Sequence, residues 1–549
     1  MNRILAGCRP IAILGALALG VAVLALAPAA EAQRLPPAAI VKAVPGVPQQ
    51  LDLQQRYEGE ASAYVGTEQA STLLQIDTAK LRGNGCQQSP RVQHDLRGAL
   101  AESWGYTPDG KALEFKLRKG VKSPAGSEMT SADVKWSLDR AIKLASIVRF
   151  LMFDVNSFRE DPVEAVDRYT VRVHLKGPTI FDFIVFSWPQ MQIHDSATVK
   201  KNVPATDEWG NTWLAKNTSD FGPWQVTAAN FIAGTRVTMT PNPNFWDAAN
   251  RGNANRLVIL GLYDSSIRSQ LLRSGEADFA GVLPLQEYAN LGTDKSVKIE
   301  TCVGAIRDTL LLSYQDERFA KPKVREAISL AIDRDAIVKG VFRGFGKPAV
   351  TGIHADYGID GLNRYIKTDV ARAKTLMAEA GYPNGFSAKF VVSASRPGAH
   401  AEQEAIFVAD QLKQIGINME IEVVGSATAF SERFFKGDYQ AMLYSESPAF
   451  PDAFYSLSLM NYGKSFQNSY KYKNDRYDEL VNEGLHLSSD KMARRDAILK
   501  ELMNIMAQDP PQVYLVDTVI PLARSTKVTE WESQGQGNGN ITAYKLRKR

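Results

Sequence analysis

Residues 444–454 read Tyr-Ser-Glu-Ser-Pro-Ala-Phe-Pro-Asp-Ala-Phe. They set two carboxylates, Glu446 and Asp452, among three aromatic rings, Tyr444, Phe450 and Phe454. Rings stack on ligand faces and carboxylates pair with cations, so such a set can hold a solute without transforming it. Arg307 and Arg396 each follow a strand-like segment, and a guanidinium there can pair with an anionic ligand group. Plainer readings stand beside these: Glu446 as an exposed loop carboxylate, the phenylalanines as packing, the arginines as surface charge. Bond-making groups are harder to find. The chain carries no Gly-x-Ser-x-Gly and no His-Glu-x-x-His, and its histidines (His94, His174, His194, His354, His400, His486) show no metal-ligand spacing. Gly344-Phe345-Gly346-Lys347 lacks the Gly-Lys-Ser/Thr ending of a phosphate loop and follows a helix, so it reads as a helix-ending loop. No catalytic residue, metal or cofactor is expected.

The elements that must position these residues alternate between strand and helix, the pattern of an α/β protein. Leu113 to Arg118 alternates apolar and polar residues as a half-buried strand after the turn Pro108-Asp109-Gly110. Thr130 caps a following helix, and Asp133 suits the positive end of its dipole. Val324–Val338 reads as one helix, with Ala327, Ile328, Ala331 and Ile332 on its apolar stripe. Helices over Ala371–Ala380 and Glu402–Ile415 end at Gly381 and Gly416, residues that accept a left-handed cap. Asn418–Val424 alternates as a strand. Tyr477–Ala507 is a helical region stopped by Asp509-Pro510-Pro511, and Val513–Val516 is the returning strand. The Pro- and Ala-rich stretch 33–50 reads as a mobile lead-in, Gly-rich 533–540 as a flexible loop, and Lys545–Arg549 as a solvated basic tail. The run Lys116, Arg118, Lys119, Lys122 reads as a solvated face, and Trp104 and Trp246 as core packing.

The first 32 residues have the layout of a secretion signal: Arg3 and Arg9, an uncharged apolar run from Ile11 to Ala27, and the small-x-small site Ala30-Glu31-Ala32. Cleavage after Ala32 is expected, and with it export. Leu5-Ala6-Gly7-Cys8 spells a lipoprotein box but precedes the apolar run, the wrong order for lipid attachment. A net charge of +4 is too small to imply a nucleic-acid partner. Cys86 and Cys302 would survive cleavage into an oxidising space, where a disulfide is allowed; two free thiols remain the other reading. At 549 residues the chain exceeds what one core usually supports, so two or more lobes are expected.

Residues 100–140 carry an ordered string: Leu100-Ala101, Ser103-Trp104, Asp109-Gly110, Leu117-Arg118, Gly120-Val121, Ala132-Asp133-Val134. Phe221-Gly222-Pro223-Trp224 and Pro241-Asn242-Pro243-Asn244-Phe245-Trp246 follow in the same order. This string resembles the periplasmic solute-binding proteins of ABC transporters, family 5, the dipeptide/oligopeptide/nickel-binding type. The resemblance covers residues 90 to 520 and implies an α/β two-lobe periplasmic-binding-protein fold with an extra subdomain inserted in the first lobe. Carried over, 1–32 is the signal peptide, 33–85 opens the first lobe, 86–204 is the inserted subdomain, 205–300 continues the first lobe, 301–516 is the second lobe, and 517–549 returns to the first. It implies a monomeric, non-enzymatic periplasmic receptor that closes on a small-molecule or peptide ligand and docks on ABC permease subunits. Contact with the membrane would come only through the permease. The family's loop corresponding to 444–454 holds a Trp that packs on the ligand and an Asp that pairs with a peptide's α-ammonium; Glu446 and Ala449 stand there instead. That departure leaves a non-peptide solute (an oligosaccharide, an opine-like compound or another amine) and a chaperone or sensor role as alternatives.

Overall fold

A computed structural model describes residues 39–58, 60–69, 71–80, 95–349, 352–354, 367–446, 452–488, 490–533 and 541–549. Its spine is a twelve-stranded mixed sheet. In spatial order the main path runs Ile417–Val423, Phe386–Val392, Ala441–Glu446, Val297–Leu312, Val513–Ser525, Phe279–Ala280, Ala39–Val44, Arg256–Gly261, Arg236–Pro241 and Trp224–Gln225. Each half has a parallel portion: Phe386–Val392 pairs with Ile417–Val423, and Ala39–Val44 pairs with Arg256–Gly261. The antiparallel strands Val297–Leu312 and Val513–Ser525 run through both halves side by side, with a register shift between Val303 and Arg307. A separate four-stranded antiparallel sheet, ordered Ala101–Tyr106, Ala112–Leu117, Thr170–Leu175 and Phe158–Asp167, carries the helix Ser131–Leu144.

Local chemistry explains most elements. Asp133 reaches back to accept the Thr130 N–H at 2.9 Å, closing the first turn of its helix, and its other oxygen accepts from the Ser196 N–H and hydroxyl. Gly275, Gly381, Gly416 and Gly437 stand just past helix ends with φ between 69° and 92°, where a side chain would be strained. Helix Ala401–Lys413 buries Ala401, Ala405, Val408 and Leu412 against the second half's core.

Five sequence expectations are corrected. The stretch read as a mobile lead-in contains Ala39–Val44, a fully buried strand between two parallel neighbours. Its Ile40, Val41 and Val44 supply the β-branched packing, and composition alone masked this. The helix expected over Val324–Val338 is two helices, Pro322–Ala331 and Arg334–Gly340. Asp333 breaks it by capping the second helix, accepting the Ala336 N–H. Buried Arg334 then donates to the Tyr514 carbonyl at 2.7 Å and the Ser329 carbonyl at 2.9 Å. The region Tyr477–Ala507 likewise divides into Asp475–Leu485 and Met492–Gln508. Gly346–Pro348 is a short strand paired with Val516–Thr518, not only a loop. The basic end is docked: Leu546 is buried, Lys548 ion-pairs with Asp278 at 2.9 Å and donates to the Ala39 carbonyl, and Lys545 pairs with Glu532.

Smaller adjustments concern the 116–122 run. Lys116, Lys119 and Lys122 are exposed, but Arg118 is half-buried, donating to the Ala99 carbonyl and lying 4.5 Å above the Trp246 ring. Trp104 and Trp246 pack against the core while remaining partly exposed. Most of the expected loop at 533–540 lies outside the described residues. Among the described residues no helix is long and apolar enough to cross a membrane.

The opening segment is pinned to the four-stranded body by one buried cluster. Arg140 donates to Asp52, to Gln54 at 2.8 Å, to Asn211 at 3.0 Å and to the Trp209 carbonyl at 2.6 Å. Burial of that charge is tolerable because its donors are met by acceptors. Apolar packing then joins this body to the second half. Phe181 meets Tyr455 edge-on at 5.6 Å, and Phe150 meets Phe466 at 5.6 Å.

Candidate functional site

The site lies where the strand Ala441–Glu446 ends and the through-running strands change register. Glu446, Arg307 and Asp517 stand in one row on three adjacent strands, since Arg307 is the register partner of both acids. Side chains in one row share a face. The three are buried. Arg307 Nε donates to Asp517 Oδ1 at 2.6 Å, and its guanidinium lies 4.9 Å from the centroid of the Tyr514 ring. His354 approaches Asp517 from another side, at 4.0 Å.

Two buried carboxylates thus share one guanidinium, and Asp517 holds it. Burial pushes the Glu446 carboxyl up to about 7; Arg307 and a hydrogen bond from Ser456 act against the rise, and the Asp517 charge adds to it. Among the described residues Glu446 Oε1 has no hydrogen-bond partner. A buried carboxylate with a free oxygen is destabilised unless a cation or donor reaches it.

Around this row the strand end is braced by aromatics. Tyr444 is buried and stacks on Phe434 with centroids 4.3 Å apart and planes 6° from parallel. Arg396 lies 4.3 Å above the Tyr444 ring and donates through Nε to the Ser445 carbonyl at 2.7 Å. Its terminal nitrogens have no hydrogen-bond partner among the described residues. It is only partly buried, and its charge helps hold the Glu446 carboxyl down.

The other sequence candidates fall outside this cluster. Asp452 is fully buried and structural: it accepts the Phe454 N–H at 2.8 Å, capping helix Ala453–Asn461, and takes two bonds from Arg495 at 2.7 and 2.8 Å. Phe454 is fully buried core. Phe450 lies outside the described residues, as do Ala449 and Cys86. Cys302 is buried and disulfide-bonded. If Cys86 is its partner, thiol counting of exported protein without reductant will find no titratable thiol, and two would exclude the bridge.

Sequence reading missed Asp517, Ser456 and Tyr455, the last a buried tyrosine whose hydroxyl pKa is pushed up by burial and by the nearby Glu446 charge. Asp517 had a signal: a lone carboxylate inside Val513–Ile520, an otherwise apolar strand. Such a residue needs a buried cation beside it. Ser456 and Tyr455 carry no such mark.

The pattern described as "Bacterial extracellular solute-binding proteins, family 5 Middle" matches residues 95–468. Glutathione-binding protein GsiB of Shigella dysenteriae is 26% identical over 442 residues, covering 79% of this chain and 83% of that protein. GsiB of Escherichia coli K12 matches to the same extent. Among solved structures, HbpA2 from Haemophilus parasuis superposes with a TM-score of 0.79 at 18% identity, covering 93% of this chain and 100% of that one. The ABC transporter-associated periplasmic binding protein DppA from Helicobacter pylori, in complex with the peptide STSA, gives 0.71 at 23% identity, covering 93% and 98%. The α/β architecture seen here is thus the two-lobe periplasmic-binding-protein fold with its inserted subdomain.

Proposed function

Since the chain belongs to family 5 of the bacterial extracellular solute-binding proteins and serves an ABC importer as its receptor, we propose that the solute it captures is a small zwitterion with a free ammonium group, a peptide or peptide-like compound. Glu446 carries this reading. It is a buried carboxylate with an unpartnered oxygen, beside a guanidinium already committed to Asp517. A ligand ammonium would supply the missing cation, and the terminal nitrogens of Arg396 would take the ligand carboxylate. The curated relatives are named as glutathione-binding proteins, and glutathione is a peptide-like zwitterion of this kind.

Capture would work by closure of the two lobes about the strands Val297–Leu312 and Val513–Ser525, with the solute released unchanged. The lobes are taken as 33–85, 205–300 and 517–549 on one side and 301–516 on the other, with 86–204 inserted. A leader cut after Ala32 would deliver the chain outside the cytoplasm. A second reading, a non-peptide amine, rests on Ala449 and Glu446 replacing the family's ammonium-pairing Asp and its Trp.

Calorimetric titration with glutathione, dipeptides and tripeptides, each beside its N-acetylated form, tests the proposal. At least one free-amine solute should bind, and acetylation should weaken it tenfold or more, about 1.4 kcal/mol. Equal binding of acetylated and free forms would sink the ammonium reading. Binding of amines alone, with no peptide bound, would favour the second reading.

A further inference from the structure

Neighbouring residues on a strand face opposite sides, so Asp308 points away from the Arg307 row. The packing agrees: Leu311, Met442 and Tyr444 belong to the apolar cluster on the Arg307 side, whereas Leu310, Leu312 and Leu443 belong to the second half's own core. On that other face Asp308 meets helix Ala401–Lys413. His400 stands at the N-terminal boundary of the helix and Glu404 one turn on, the i, i+4 spacing that puts both on one side.

His400 Nε2 lies 2.7 Å from Asp308 Oδ2 and 3.8 Å from Glu404 Oε2. One donor atom from each of the three residues falls within 4.8 Å of the others. Glu404 is fully buried, yet among the described residues neither of its carboxylate oxygens has a hydrogen-bond donor, and Asp308 Oδ1 has none either. Two carboxyl groups therefore face each other in an apolar core, and either a shared proton or a cation must lie between them. Burial and the Asp308 charge push the Glu404 carboxyl well above its ordinary value. Something positive belongs between them. A neutral His donating one proton to Asp308 leaves Glu404 unmet.

We propose that Asp308, His400 and Glu404 form a binding site for a divalent first-row transition metal ion such as zinc, separate from the solute site on the opposite face of the sheet. Metal–oxygen and metal–nitrogen bonds of about 2.0–2.2 Å place tetrahedral donors roughly 3.4 Å apart. A small rotation of the imidazole off Asp308 opens that space. The mixed imidazole and carboxylate donors suit a borderline ion over calcium, which asks for six to eight oxygens. Ions can enter at His400, whose side chain is 23% exposed. Phe342 packs against its ring at 4.7 Å and limits its swing. Bound metal would tie the loop that carries Arg396 to the strand that carries Arg307.

The test is calorimetric titration of the untagged, EDTA-stripped chain with zinc chloride. One equivalent should bind. Glu404→Gln, Asp308→Asn and His400→Ala should each weaken it at least tenfold, while His174→Ala, at a half-buried imidazole paired with Glu164 on the separate four-stranded sheet, leaves it unchanged. Circular dichroism and melting in EDTA establish that each variant is folded. Visible absorption of the cobalt(II)-loaded wild type gives a second readout, expected to show a nitrogen–oxygen coordinated ion. No zinc uptake by the wild type would overturn the site in favour of a proton shared by the carboxylates. Unaltered uptake by folded Glu404→Gln and Asp308→Asn would overturn it as well.

Discussion

Arg495→Met should lower stability by about 3–5 kcal/mol. Asp452 is fully buried, and Arg495 Nη2 reaches both of its oxygens, at 2.7 and 2.8 Å. Methionine fills similar apolar length but leaves the carboxylate in the core without a cation. The same carboxylate caps helix Ala453–Asn461, so its displacement would also unfasten the helix start beside Glu446. The expected readout is a lower urea midpoint. Midpoints are compared because a chain of this size is not safely two-state. Arg495→Met combined with Asp452→Asn should recover most of the loss, since asparagine keeps the cap and carries no charge. A midpoint unmoved by the single change would show that the pair contributes nothing.

Glu446→Gln should move affinity and stability in opposite directions. The carboxyl sits at about 7 in the folded chain against an ordinary 4.5, chiefly because it is buried. Below pH 4.5 it is protonated in both folded and unfolded states, and folding carries no penalty from it. As pH rises through 7 the folded chain must hold the charge in a desolvated place, and stability falls by up to about 3 kcal/mol. The glutamine variant escapes this, so without ligand it should exceed the wild type at pH 8 and match it near pH 4. Its affinity for an ammonium-bearing solute should drop at least tenfold, about 1.4 kcal/mol. Wild-type affinity should itself weaken as pH falls through 7, because the protonated carboxyl no longer attracts a cation. A residue that only supports the fold would not separate the two readouts. Unchanged affinity in Glu446→Gln would remove it from the site.

How much of this was legible in the sequence depends on where the information lies. Local signals transferred well: the Thr130–Asp133 cap, the glycines at 381 and 416, and the alternation in 113–118, a strand observed at Ala112–Leu117, depend on neighbours a few residues away. The motif string in 100–140 pointed to the family. What failed was non-local. Ala39–Val44 is a strand because residues more than two hundred positions later flank it, and the surrounding Pro and Ala outweigh its three β-branched residues in a local reading. Asp333 splits a helix that periodicity alone would continue. In the site, Glu446 and Arg307 were named separately, but only the sheet register puts them side by side, with Asp517 supplied by a strand near the other end of the chain. Histidine spacing does not reveal Asp308, His400 and Glu404, because Asp308 lies on a strand far from the helix that carries the other two.

The placement of Lys548 has a consequence for the order of assembly. Its ammonium bonds Asp278 and the Ala39 carbonyl, so a residue 509 positions downstream clamps the strand where the described chain starts. A chain threaded outward head first would expose Ile40, Val41 and Val44 while their flanking strands at 256–261 and 279–280 are still inside the cell. That half can be completed only after the tail arrives. Until residues 256–280 arrive that apolar ribbon has no partner strand, so whatever holds the emerging chain must shield it while about half of the chain passes.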